Sequence, residues 1–161
     1  MEELLAAPLP GRIALLALLC ALAISAVTDL RRRRILNAVT YPAFLISALS
    51  VAWLGGLALL GAAALGVLAC AGPLLAAAFC GWVGAGDVKL MAVAGLVTGA
   101  MGGWQLSLSI LLWVAVAGGV QSALWLLVAK LRGRAFPRTV PYGLAIAAGT
   151  LWGLLAGGSL F

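Results

Sequence analysis

Apolar residues in this chain come in long runs, broken only by short polar clusters or glycine pairs. A helix rises about 1.5 Å per residue, so roughly 20 apolar residues cross the ~30 Å hydrocarbon layer of a bilayer. Six runs approach that length, at about 11–28, 36–54, 57–79, 88–104, 106–129 and 141–159. Gly55-Gly56 separates the second from the third. Gly102-Gly103 and the weakly polar stretch around Gln105 separate the fourth from the fifth. The pattern predicts an all-α polytopic membrane protein with about six transmembrane helices, in a single domain over residues 1–161.

The first run invites comparison with a signal peptide, having small residues near Ala23 and Ser25. Its charge order is the reverse of one. Glu2 and Glu3 precede it and four arginines follow it, whereas a signal peptide opens on basic residues. A retained span is expected.

Composition supports the bilayer reading: 65% of residues are hydrophobic and 9% are charged, against about a quarter charged in an average soluble domain. The net charge of +6 comes from ten basic and four acidic residues. No aromatic residues interleave with the basic ones as a nucleic-acid surface would require, so no nucleic-acid partner is expected. The charges read instead as topology. Arg31, Arg32, Arg33 and Arg34 fall in the first loop, Lys89 just after the third, and Lys130, Arg132, Arg134 and Arg138 in the fifth. With six spans these loops share one side, and only Arg12 is left opposite. Basic loops stay in the cytoplasm, so both termini are expected outside.

The chain has no histidine, which removes Ser-His-Asp and Cys-His catalysis and most zinc sites. Cys20, Cys70 and Cys80 form no C-x-x-C pair and read as small buried hydrophobes. Two glycine series, Gly95-Gly99-Gly103 and Gly149-Gly153-Gly157, recur every four residues and predict close helix packing seams.

Apart from the N-terminal glutamates, the acidic residues are Asp29 and Asp87. Asp29 ends the first expected span and Asp87 opens the fourth, at one depth on one side. A charge inside a span is expensive, so each asks for an explanation. Asp29 has a structural one in an ion pair with Arg32 or Arg33. Asp87 has one in capping its helix, where a carboxylate meets the helix dipole. Brought together, the two would form a dyad. At ~4 Å and an effective dielectric of about 20, two full charges repel by about 4 kcal/mol, so one carboxyl keeps its proton. The ionised partner can then take a proton from water while the protonated one hydrogen-bonds a scissile carbonyl.

The surrounding residues sharpen that reading. Gly84-Ala85-Gly86-Asp87-Val88-Lys89-Leu90 resembles the G-x-G-D-x-K signature of the prepilin peptidases, membrane aspartic proteases of the GxGD type. Asp29 followed by arginines, Ile35 and Asn37 is similar to that family's D-x(n)-R-I-x-N pattern. Val140-Pro141-Tyr142-Gly143 looks like its P-[YF]-G stretch opening the last span. The resemblance implies that Asp29 and Asp87 are the catalytic pair. It gives supporting places to Gly84, Gly86, Asn37, Pro141, Tyr142 and Gly143, with Lys89 tuning the dyad or reaching the interface.

The longer members carry a cytoplasmic domain with paired C-x-x-C motifs and N-methylate the new N-terminus. The sequence shows no such pairs, no such domain is expected, and it resembles the short branch serving Flp-type, tight-adherence pili. The resemblance then implies proteolysis without methylation and no cofactor, neither S-adenosylmethionine nor zinc. It implies a prepilin or pseudopilin substrate, pilus or secretion machinery as a partner, and a bacterial inner-membrane location with the site facing the cytoplasm. Two rivals stand beside it. One is an ion- or proton-coupled transporter using the aspartates, although the spans hold few other polar groups. The other is a non-catalytic assembly subunit.

Overall fold

The structure, a computed structural model, describes residues 8–133 and 141–156. Its regular elements are four helices: α1 (Leu9–Arg32), α2 (Asn37–Phe79), α3 (Ala85–Leu131) and α4 (Gly143–Leu155). Three are long and apolar enough to cross a membrane, and α4 is a shorter apolar helix. Six separate spanning helices are not seen among the described residues. The second and third runs form one element, α2, and the fourth and fifth form another, α3. Glu2, Glu3, Arg134, Arg138, Val140 and Gly157 lie outside the described residues.

The two long elements are not straight rods. A straight helix of α3's length would measure about 70 Å, over twice the hydrocarbon thickness. Each is broken at its glycine pair. Gly55 and Gly56 have φ/ψ of −145/16 and 60/−151, and Gly102 and Gly103 have −142/22 and 69/−168. Gly56 and Gly103 thus occupy a region that is essentially open to glycine alone.

The consequence is visible in the contacts. Along a straight helix Gly95 and Ser107 would stand about 18 Å apart. Here Ser107 Oγ donates to the Gly95 carbonyl at 3.4 Å and shares a 2.8 Å hydrogen bond with Thr98 Oγ1. The chain of α3 therefore doubles back at Gly102-Gly103. Asn37 starts α2 and Gly81 follows its end, yet both border clefts that contain Asp29, so α2 doubles back as well. Helical geometry resumes directly on either side of each pair, so α2 and α3 are each two helical segments joined at a glycine pair.

The expected glycine seams are present in part. A Cβ at Gly66 would land on the Gly95 carbonyl and the Gly99 Cα, so these backbones touch. Gly149 lies against the backbone of Trp113 and Val114, and Gly153 against the side chains of Ile110 and Trp113. Gly103 is no part of a seam, because it is the turn itself. Cys70, as expected, is buried, and its thiol donates to the Ser107 carbonyl at 3.0 Å; Cys20 and Cys80 are exposed.

Leu18 and Leu22 of α1, Leu90, Met91, Val93 and Ile110 of α3, and Ile146 of α4 are fully buried. Many other large apolar residues, such as Leu16, Leu45, Leu68, Leu124 and Trp152, face outward. In water that surface would be untenable for a monomer. Against lipid tails it needs no cover, so the chain is a membrane protein.

Replacing Gly103 or Gly56 by Val is expected to cost about 1–3 kcal/mol each, because a β-branched residue cannot adopt that backbone without strain. Gly119→Ala, where an added Cβ meets nothing within 4 Å, should be neutral or slightly stabilising. Thermal unfolding in detergent, followed by circular dichroism, checks both.

Candidate active site

Asp29 lies in the last turn of α1. The helix stops because Arg33 turns left-handed, at φ 51, and its backbone N–H caps the Asp29 carbonyl at 2.8 Å. Arg31 and Arg32 in that turn complement the negative end of the helix dipole. The Asp29 side chain is buried, with 7% of its surface exposed. Its Oδ2 accepts the Gly143 backbone N–H from the start of α4 at 2.7 Å. The approach leaves no room for a side chain: a Cβ at Gly143 would sit 3.0 Å from both Cβ and Oδ2 of Asp29.

Asp87 stands in the first turn of α3, half-buried. Its Oδ2 accepts the backbone N–H of Gly84, the residue that caps the helix, at 3.2 Å. The capping role considered from sequence is therefore real, and it occupies one carboxylate oxygen. It does not remove Asp87 from the site. Asp29 and Asp87 border the same two clefts and lie within electrostatic reach of one another.

The larger cleft, about 640 Å³, is bordered by Gly81, Trp82, Val83, Ser122, Pro141 and Tyr142 beside the two aspartates. The smaller, about 410 Å³, is bordered by Arg33, Arg34, Ile35, Leu36, Asn37 and Gly86. Gly86 packs against Ile35, with an imaginary Cβ only 2.8 Å from the Ile35 Cβ. Lys89 donates to Asn37 Oδ1 at 2.8 Å, with its ammonium 4.9 Å from the centre of the Tyr41 ring. It thereby ties the start of α3 to the start of α2.

Every candidate site residue from the sequence lies at this end of the bundle: Asp29, Asn37, Gly84, Gly86, Asp87, Lys89, Pro141, Tyr142 and Gly143. The glycine reversals lie at the other end. Arg31–Arg34 and Lys89 gather here too, and the second half of α3 runs past Ser122 toward Lys130 and Arg132. Sequence reasoning missed Trp82, Val83 and Ser122. Trp82 had a legible signal, an aromatic two residues before the G-x-G-D run. Ser122 had none, because its place depends on the doubling back of α3. Among the described residues no three His, Cys, Asp or Glu side chains group so as to hold a metal ion.

The fold and cleft define a helical membrane protein with two carboxylates converging at one end of its bundle. The family model described as the Type IV leader peptidase family matches residues 16–123, and the chain belongs to that family. The family indicates a protease acting on prepilins. The match takes in Asp29, Asn37 and the whole Gly84–Lys89 segment, and ends before Pro141-Tyr142-Gly143. Neither the curated proteins nor the solved structures contain a match to the chain.

Gly143→Ala should force α4 away from Asp29 and lower stability by about 1–3 kcal/mol. Gly72→Ala, where nothing lies within 4 Å of the added carbon, should not. Comparing the two melting temperatures in detergent tests whether the close approach holds the site together.

Proposed function

We propose that this chain is an aspartic endopeptidase that removes the basic leader from Flp-type prepilins or pseudopilins, with Asp29 and Asp87 as its catalytic pair. The observation that carries this reading is the convergence of the two aspartates, from the end of α1 and the start of α3, on shared clefts. One carboxylate, ionised, takes a proton from water as the oxygen adds to the scissile carbonyl carbon. The other, protonated, donates its hydrogen bond to the carbonyl oxygen. The proton then passes to the departing amine as the C–N bond breaks, and the new carboxyl and amino ends leave.

In this reading α2 and α3 each cross twice, turning at Gly55-Gly56 and Gly102-Gly103. The basic residues at the cleft end favour an inner-membrane protein whose site faces the cytoplasm. A substrate leader would then meet the site from the cytoplasm, and the cut would fall where leader and apolar helix join. In this reading the chain is one peptidase domain, the supporting residues hold the pair, and no methyl transfer accompanies cleavage.

The capping bond from Gly84 to Asp87 favours one alternative, an assembly subunit in which Asp87 only terminates its helix. Transport is the less favoured, since Asp29 is the one buried charged residue among those described.

Co-expression with a candidate prepilin separates these readings. Asp29→Asn and Asp87→Asn should each reduce leader removal by about 10²–10⁴-fold, the usual worth of a general acid or base, while the protein stays in the membrane. Normal processing by either variant, read as the mobility of the pilin on a gel, would refute the dyad.

A further inference from the structure

Gln121 is one of two glutamines in the chain and sits half-buried in the second half of α3. Its Nε2 donates to the Pro141 carbonyl at 2.5 Å. One turn earlier, Gly118 faces the same segment. A Cβ there would overlap the Tyr142 phenol, so the ring is seated where Gly118 has no side chain. Two positions on one face of α3 thus grip two consecutive residues of the turn before α4.

The next residue is Gly143. The Pro141 carbonyl belongs to one peptide plane, and the Gly143 N–H belongs to the plane that follows it. Fixing the first, with the Tyr142 side chain held, leaves the second little freedom. The Gly143 N–H is the donor that reaches Asp29 Oδ2 at 2.7 Å. Tyr142, between them, lies within electrostatic reach of Asp87. The turn therefore adjoins both carboxylates, and α3 holds it from behind.

We propose that Gln121 is a positioning residue for the peptidase reaction: its amide fixes the Pro141 carbonyl and so aims the Gly143 N–H at Asp29. This rests on the peptidase reading above. A glutamine suits the task because the carbonyl needs a donor, and a buried carbonyl left without one is costly. Gln121 borders neither cleft, so it acts through the turn and not on the substrate.

The test uses the purified full-length protein in nanodiscs with a prepilin substrate and the variants Gln121→Leu and Gln121→Glu. Both remove the donor, and the second keeps the shape. Misplacing a reacting group by about 1 Å can cost about 100-fold, so kcat should fall by about 10- to 100-fold, with KM within about twofold of wild type. Gln105→Leu, at the opposite end of α3's second half, should leave both constants unchanged.

A second readout needs no activity. In protein labelled with 15N-glycine, the Gly143 amide proton should move upfield in the Gln121 variants as its bond to the carboxylate lengthens. Wild-type kcat with an unmoved Gly143 resonance overturns the proposal. So does a loss of activity that appears only as a raised KM and a lowered melting temperature. If the wild-type protein cleaves no prepilin, the peptidase reading fails by itself, and the Gly143 resonance still decides whether Gln121 sets the turn.

Discussion

The hydrogen bond from the Gly143 amide to Asp29 joins the first helix to the last, and the geometry of the cleft depends on it. A carboxylate this buried has lost most of its water and needs a donor in return. A bond to a charged acceptor is worth about 1.5–3 kcal/mol net, and leaving the acceptor unpaired costs at least as much. The bond therefore links two otherwise separate requirements. The α4 turn must be in place for Asp29 to be tolerated, and Asp29 must be in place for α4 to dock. Asp87 is held differently, by the amide at the start of its own helix, so its position is largely local. One member of the pair is set by tertiary packing and the other by helix capping.

For these groups to meet, chain segments far apart in sequence must return to one end of the bundle. The two glycine pairs accomplish that. Each reversal takes about two residues, and each uses a backbone conformation that a residue with a Cβ would resist. The returning segments then pack at glycine-to-glycine distance, where Gly66 meets Gly95 and Gly99, and a small polar cluster of Thr98, Ser107 and Cys70 satisfies itself beside the turn. In lipid there is little hydrophobic drive to bring helices together, so close backbone approach and internal hydrogen bonds carry the association.

Much of this was legible in the amino-acid order. Apolar run length identified the helices, and the glycine pairs were read as breaks at the positions where the chain reverses. What run length could not reveal was how tight each reversal is, with helical geometry resuming on both sides of a single glycine pair. Gly103 shows the limit of spacing arguments. It continues the four-residue series of Gly95 and Gly99, yet its backbone conformation takes it out of the seam. In the cleft, the aspartates and the G-x-G-D run were legible because charge is rare in these spans. Ser122 and Gln121 were not, because an isolated polar residue in an apolar run gives no sign of what it faces until α3 folds back. Lys89 was read as tuning the pair or reaching the interface; its contacts with Asn37 and the Tyr41 ring make it a strut between helix starts.

The two carboxylates share one further feature that bears on their chemistry. Each receives a backbone N–H from a glycine, Gly143 for Asp29 and Gly84 for Asp87, and each uses Oδ2. A Cβ at either glycine would stand about 3 Å from that oxygen, at 3.0 Å for Gly143 and 3.1 Å for Gly84. Backbone donors are rigid and cannot rotate away as a serine or lysine donor can. One oxygen of each acid is thus pinned, which fixes the carboxyl planes, and these bonds leave Oδ1 of each for water or a carbonyl. In the proposed dyad, an acid and a base acting in one step need such fixed orientation. Glycine amides supply that orientation without filling the cleft.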